Sequence, residues 1–299
     1  MLDREDMMLI LLSQKGFTLA ETAIVLIIVG LLMGGLLQGQ TLTQNARVIA
    51  EVSQIQAISN ADRNFKTMFS LPPGDLPNAG SRFPGCPGVG GVNCNPFMCA
   101  PEPCAGGGDG IIGNPLWASQ GFNPWLAPGY GTTTTGTITT NVDDERYLFW
   151  AHLSLTNLYN GVNINALASP TPYSCGVTHP LVKLGGCLQV GYNNGYVSPG
   201  NSVMLPGTGL SGTILVHETN NELTNPLSVT VGGNVLTPYQ AWQVDIKMDD
   251  GRPGSGYVQA FGLQTSCFDT VTGNDMAAAP GYLQTVTTPD CGLMFRISG

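Results

Sequence analysis

Three aspartates near residue 250 are of types and at spacings that suggest chemistry. Asp245, Asp249 and Asp250 precede Gly251 in the sequence DIKMDDGRPGSG. Carboxylate oxygens on a tight glycine turn are suitable ligands for Ca²⁺. The sequence lacks the alternating aspartates and the final glutamate of an EF-hand, and it fits better with a polar turn in which Asp and Gly serve backbone geometry. We therefore expect a turn between two strands, with a structural Ca²⁺ site as the alternative.

The three histidines do not stand in a catalytic arrangement. His152, His179 and His217 are accompanied by no G-x-S-x-G, H-E-x-x-H or G-x-x-x-x-G-K-[ST] sequence. We expect His152 to be a packed or surface histidine on a helix. His217 and Glu218 are expected to form a surface pair on a strand, not an acid–base dyad. The sequence thus gives no reason to predict an enzyme.

Eight cysteines lie beyond residue 85, and an even number suits a set of disulfides in an exported protein. The first four lack the paired C-x2-C spacing of common zinc sites, so we expect bridges. Pairing of sequence neighbours is the simplest arrangement: Cys175 with Cys187, Cys267 with Cys291, and two bridges within the first four. The eight are Cys86, Cys94, Cys99, Cys104, Cys175, Cys187, Cys267 and Cys291.

An apolar segment near the N-terminus carries one carboxylate, Glu21, and no further charge until Arg47. Its centre, residues 23–37, is about 22 Å long as a helix, and with residues 17–22 it crosses most of a hydrocarbon layer of about 30 Å. A secretory signal peptide would carry a small-residue cleavage site after the apolar residues, and none is present. A plain signal anchor or a core helix leaves Glu21 unexplained, because an unpaired acid there costs several kcal/mol.

The sequence KGFTLAE, followed by this apolar segment, resembles the processing signal of type IV pilins and of type II secretion pseudopilins. The resemblance implies cleavage after Gly16 by a membrane-embedded prepilin peptidase and N-methylation of Phe17. It also implies that Glu21 pairs with the terminal amine of a neighbouring subunit. A buried carboxylate and a buried ammonium are each costly alone and tolerable together. A start at Met7 or Met8 would give a shorter leader.

These features divide the chain into a leader (1–16), a membrane and filament-core helix (17–46), its amphipathic continuation (47–71) and a globular head (72–299). In the continuation, apolar residues recur at helical spacing with a gap near Asp62, and polar residues such as Glu51 lie between them. Pro72 and Pro73 end this helix. Gly30, Gly34, Gly35 and Gly39 favour either close helix packing or a weakened helix.

The head is expected to be α+β, with an antiparallel sheet packed on the long helix and a disulfide-tied Cys/Gly/Pro-rich loop over residues 85–110. A second helix is expected at 143–160. Strands are expected at 212–218, 227–231, 234–237, 241–248, 256–263 and 292–298, with a hairpin turn at Gly232 and Gly233. The loops LPPGD, ending at Asp75, and GDG, at 108–110, resemble a pair found in many pilin-like proteins.

The composition argues against direct binding of nucleic acid. Charged residues make up 10% of the chain, and 11 Lys and Arg against 20 Asp and Glu give a net charge of −9, so no basic patch for nucleic acid is expected.

The resemblance implies a structural pilin or minor pilin for adhesion, motility or DNA uptake. Its partners would be the prepilin peptidase and other pilin subunits. It would sit in the bacterial inner membrane as a single-pass protein before joining a periplasmic or extracellular filament. The alternatives are a pseudopilin and a membrane-anchored exported binding protein or enzyme. Apart from the Ca²⁺ alternative, no cofactor is expected.

Overall fold

The computed structural model describes residues 18–83, 106–112, 145–163, 175–194, 210–218, 234–262, 265–269 and 281–298. The chain forms two compact units that meet between Ala46 and Arg47. In chain order the elements are helices α1 (Leu19–Phe69), α2 (Ala79–Arg82) and α3 (Glu145–Leu155), strands β1 (Cys187–Asn194) and β2 (Ser211–Glu218), helix α4 (Pro238–Met248), and strands β3 (Val258–Gly262) and β4 (Cys291–Ser298). The fold is therefore α+β, as the sequence predicts.

Helix α1 is 51 residues long and stops where the sequence predicts. Ser70, the next residue, has a φ of 63°, and Pro72 and Pro73 follow. A proline cannot supply a backbone donor to a continuing helix. In the first unit the helix continues through its four glycines, and a Cβ added at any of them would meet no atom within 4 Å.

In the second unit, α1 packs against a sheet and forms the main core. Residues three and four apart on a helix share one face, and this spacing produces the buried stripe of Val48, Ile55, Ile58, Ala61 and Phe65. The stripe belongs to the same apolar cluster as Leu188, Val190, Leu215, Leu293 and Phe295 from the strands. Each large apolar side chain buried there stabilises the head by about 1.5–3 kcal/mol.

The gap in the apolar stripe at Asp62 is part of the buried face. Asp62 is fully buried, and the Lys66 ammonium lies 3.3 Å from its carboxylate. Lys66 also donates to the Ser298 hydroxyl. A buried charge is tolerated when it is paired, so this polar position joins the end of α1 to the end of β4.

The sheet is antiparallel, with the strand order β1-β2-β4-β3. Strand β4 therefore pairs with β2 on one side and with β3 on the other. Residues Cys291–Phe295 of β4 are all buried. A second apolar cluster, which contains Ile214, Val216, Phe261 and Met294, is separate from the main core. Alternate side chains of a strand point to opposite faces, so both faces of this sheet carry buried apolar residues.

Residues 241–248, predicted to form a strand, instead form most of α4, and that prediction was wrong. The Thr237 hydroxyl accepts a hydrogen bond from the Gln240 N–H, and the Gln240 side chain accepts one from the Thr237 N–H. This reciprocal pair is a capping box, and Pro238 occupies the first helical turn, where its missing donor is not needed. The sequence TPYQ carried both signals before the alternating residues began.

Several other boundaries differ from the sequence predictions. Residues 234–237 form no strand, and only Leu236 bridges to Cys291. Helix α3 is shorter than predicted, and Asn157 beyond it has a φ of 55°. Strand β1 was not predicted, because its Gly and Asn residues are poor strand formers. Strands β2, β3 and β4 match the predictions for 212–218, 256–263 and 292–298 to within two residues, whereas 227–233 lie outside the described residues.

Candidate functional site

Glu21 caps the first turn of α1. Its carboxylate Oε2 accepts hydrogen bonds from the Thr18 N–H at 2.8 Å and from the Thr18 hydroxyl at 2.9 Å. In return, the Thr18 Oγ1 accepts from the Glu21 N–H at 3.3 Å. This is the T-x-x-E capping box, and the sequence TLAE at residues 18–21 carries its signal. In the single chain, the carboxylate therefore has a partner within its own helix.

The cleavage junction itself, Gly16 and Phe17, lies outside the described residues. Cleavage after Gly16, methylation of Phe17 and pairing of Glu21 with a second chain therefore stay predictions. The described helix begins two residues after the junction, at Leu19.

The remainder of α1 in the first unit exposes apolar side chains on all sides. Leu26, Leu31, Leu32 and Leu36 are 71%, 72%, 68% and 64% exposed. Soluble monomers rarely expose a contiguous apolar surface of this extent, so a membrane or other apolar helices must cover it. The helix is long and apolar enough to cross a membrane.

Among the described residues, two disulfides fasten the head, and both join cysteines that are neighbours among the eight in sequence. Cys175 pairs with Cys187 across a Cα distance of 5.5 Å, and Cys267 pairs with Cys291 across 5.2 Å. Disulfides persist in oxidising compartments, so together with the apolar helix they indicate an exported protein. Cys86, Cys94, Cys99 and Cys104 lie outside the described residues.

The aspartate loop predicted from the sequence is present, but it joins α4 to β3 and not two strands. Asp245 lies on α4, where its carboxylate accepts from the Gly251 N–H at 3.1 Å and from the Tyr282 hydroxyl at 2.8 Å. The Asp249 carboxylate accepts from the N–H groups of Tyr257 and Val258 at 2.5 and 3.1 Å. These bonds tie the end of the helix to the start of the next strand, as the turn interpretation requires.

Asp250 completes the loop by accepting from the Arg252 N–H at 2.9 Å and from the Ser255 hydroxyl at 2.5 Å. Ligand oxygens of Asp245, Asp249 and Asp250 lie within 4.8 Å of one another, a spacing that oxygens 2.3–2.6 Å from a Ca²⁺ ion can have. The carboxylates thus fit the cation, while each already serves a turn. Ca²⁺ binding here stays a prediction.

Burial raises the pKa of the Asp245 carboxyl to about 7, and the nearby Asp250 and Asp249 charges add to this, although the Tyr282 and Gly251 donors oppose it. Burial and the charge of Asp245 likewise hold the Tyr282 pKa well above its usual range. Removing a carboxylate from water disfavours its charged form. The loop therefore contains an acid that takes up a proton near neutral pH.

The LPPGD and GDG loops are in direct contact in the structure. The carboxylate of Asp75, which is fully buried, accepts hydrogen bonds from the N–H groups of Gly108, Asp109 and Gly110 at 2.5, 3.1 and 2.7 Å. Gly74 lies against the backbone of α3, where an added Cβ would be 2.3 Å from the Glu145 carbonyl oxygen. Only glycine allows this approach. These contacts fasten two distant loops to each other.

A buried ion pair joins α1 to the sheet, contrary to the sequence prediction for both residues. The Glu51 carboxylate lies 2.8 Å from Nδ1 of His217, and both side chains are completely buried. His217 Nε2 lies 2.6 Å from the Gly185 carbonyl oxygen, so it donates to it. Burial lowers the His217 pKa, but the Glu51 charge and the Gly185 carbonyl outweigh that effect and raise it. His217 is therefore not a surface residue, and Glu51 is not on a solvated face.

The other two histidines are also part of the head's core. His152 is fully buried, stacks on the Phe65 ring at 5.8 Å, and accepts a hydrogen bond from the Gly74 N–H at Nδ1, 2.8 Å away. His179 is fully buried, and its Nδ1 lies 3.0 Å from the Thr178 hydroxyl. Burial and the nearby Arg146 charge hold the His179 pKa well below its usual range. The packed alternative for His152 therefore holds.

Comparison of the chain with protein-family models, with curated protein sequences and with solved structures finds no match.

Proposed function

We propose that this chain is a structural subunit, a pilin or minor pilin, of a type IV pilus-like filament. Prepilin peptidase would cut it after Gly16, and the helix from Phe17 to Ala46 would anchor it first in the inner membrane and then in the filament core. The observation that carries the proposal is the placement of a carboxylate, Glu21, in the first turn of α1, whose part in the first unit is apolar and exposed.

Glu21 has two roles in this proposal. Before assembly its carboxylate caps α1 through Thr18, which keeps the carboxylate hydrogen-bonded while it lies in or near the membrane. Cleavage creates a charged amine at Phe17. In the filament this amine, from a neighbouring subunit, would replace the cap as the partner of Glu21, because an unpaired charge in an apolar medium costs several kcal/mol.

Mass spectrometry of the mature protein tests the processing step. We expect a chain that begins at N-methylated Phe17, with the leader absent. A chain that retains its leader, or one cut beyond residue 37, would contradict the proposal. Retention of the leader is what a simple membrane-anchored binding protein would show.

Two substitutions at Glu21 separate the charge from the cap. Glu21→Gln keeps an acceptor for the capping box, since Gln also serves at this position, but it removes the charge. Glu21→Ala removes both. We expect both variants to be cleaved and neither to form filaments. Electron microscopy shows the filaments, and the amount of the protein that pellets after filaments are sheared from the cells measures them. Normal filaments from the Gln variant would show that the cap alone matters and would refute the ion pairing.

A further inference from the structure

A groove of about 790 Å³ lies in the head between α1 and the C-terminal half of β4. It exists because β3 is shorter than β4. Their pairing begins at Val258 with Phe295, and the last bond on that side runs from the Arg296 N–H to the Tyr257 carbonyl. Beyond it, no strand among the described residues neighbours Ile297 on that side, and its carbonyl accepts from the Ser59 hydroxyl at 3.2 Å.

The groove combines partly exposed apolar surface with two cationic walls. Met248 and Tyr257 line it, the first half-buried and the second exposed, whereas the isoleucines and the phenylalanine that line it are almost completely buried. Arg63 from α1 and Arg296 from β4 line the groove, and both are exposed. Within the part of the chain that the structure describes, neither guanidinium has an ion-pair partner. Apolar surface with a few convergent polar groups is the usual form of a binding site.

The chemistry of the two walls selects a carboxylate. A guanidinium presents paired N–H donors that match the two oxygens of a carboxylate. The chain carries 20 acidic residues and only 11 Lys and Arg, so two unpaired guanidiniums in one groove are a local exception in an acidic molecule. Every further copy of the chain brings exposed carboxylates, among them Asp109, Asp250 and Asp269.

We propose that this groove docks a carboxylate-bearing loop of a second copy of the chain. The inference deepens the proposed function and rests on it, because assembly is what brings many copies together. A contact between a groove on one copy and a different surface on the next is heterologous, and such contacts extend into open filaments unless the rotation closes a ring. The head would thus contribute a contact that is additional to the apolar helices.

A photo-crosslinking residue in place of Asn60, which is exposed and lines the groove, tests this in the full-length chain. We expect a crosslinked dimer in assembled protein, with the partner peptide mapped by mass spectrometry to an acidic loop. Reversing both charges with R63E and R296E should lower the dimer yield at least about tenfold, because like charges opposed across an interface cost several kcal/mol. The matched control is K183E with R252E, which changes the net charge equally at exposed cations outside the groove.

Three results would overturn the inference: a crosslink to a different protein, no dimer, or a dimer that the control reversal reduces as strongly as the groove reversal. Melting temperatures of both double variants establish that the head still folds. The mature N-terminus is measured on the same samples. Correct processing and normal filaments with an unaffected R63E/R296E variant would reject the groove alone, whereas an unprocessed chain would reject the proposed function.

Discussion

At the scale of single residues, the head is organised by buried charges that the sequence does not pair. Glu51 stands among polar residues on an amphipathic helix, and His217 stands beside another acid, Glu218, in a strand. Local spacing therefore assigned both to the surface. Their partnership depends on how α1 crosses β2, which is a tertiary property. A buried charge is strongly destabilising without such a partner. The pair therefore also fixes where α1 lies on the sheet, because any other position would separate the two charges.

Removing one member of this pair should be much worse than removing both. Glu51→Met or His217→Leu alone leaves a buried polar group without its partner, and we expect a loss of about 3–5 kcal/mol of unfolding free energy. The double variant Glu51→Met with His217→Leu replaces the pair by apolar side chains, and it should lose clearly less than the sum of the singles. Urea unfolding of the four proteins provides the measurement.

Additive losses in that cycle would mean that the two side chains do not interact. A suitable control is Ser53, which is exposed on the same helix. Its replacement by Ala should change the unfolding free energy by no more than about 0.5 kcal/mol.

At the scale of elements, segments with a strong pattern were predictable, and segments with a weak or ambiguous pattern were not. Helix α1 was predicted from its apolar spacing and from Pro72 and Pro73, and β2 and β4 from their β-branched and apolar residues. Helix α4 was mistaken for a strand because small or polar residues alternate with apolar ones in the sequence AWQVDIKM. The capping residues that precede α4 favour a helix over a strand locally. Burial of Val244 and Asp245 on one face of that helix stabilises it further.

The cap of α4 makes a measurable contribution. Thr237→Ala removes the acceptor for the Gln240 N–H, and we expect a loss of about 1 kcal/mol. Thr237→Ser keeps the hydroxyl and should lose at most a few tenths. Chemical unfolding monitored by circular dichroism gives both values. Equal losses in the two variants would show that the Thr methyl, and not the hydroxyl, stabilises this helix end.

The aspartate loop shows how a correct motif can be placed on the wrong element. The sequence located the turn and its three carboxylates correctly, because Asp and Gly favour such conformations locally. It did not show that Asp245 belongs to a helix or that Tyr282, from a distant segment, donates to it. Contacts between distant segments are set by packing, which one sequence without a structure does not reveal.

At the scale of the whole molecule, titrating groups whose pKa is raised make the head less stable as the pH rises. The pKa is raised to about 7 for Asp245 and to about 6 for Asp75, in both cases first by burial, and it is also raised for His217. A group whose pKa is higher in the folded than in the unfolded state stabilises the fold at low pH and loses this contribution as the pH passes its folded value.

The melting temperature should therefore fall between about pH 6.5 and pH 8, because below pH 6.5 the lowered pKa of the buried His179 acts in the opposite direction. One fully linked group changes stability by at most about 1.4 kcal/mol per pH unit. Asp245→Asn keeps a neutral side chain of the same shape and should flatten this decline. Thermal scans in detergent measure this, with Asp269→Asn, at an exposed position, as the control.

A melting temperature that rises over this range would contradict the assignment of the raised pKa values. Repeating the scans with Ca²⁺ tests the calcium alternative, because a bound cation would keep Asp245 ionised. Calcium binding would then raise the melting temperature most at pH 8, and Asp249→Asn would abolish that effect.

The strand order β1-β2-β4-β3 has a consequence for export. Strand β4 is the last of the four in the chain, yet it lies inside the sheet between β2 and β3. If the chain is exported N-terminus first, as the proposed function requires, β1, β2 and β3 cross before β4, and the central position of the sheet stays unfilled until β4 follows. The apolar helix would then enter the bilayer first, and the sheet of the head would be completed only after Cys291 and the residues after it have crossed. Under that proposal the strand order separates membrane insertion from completion of the head in time.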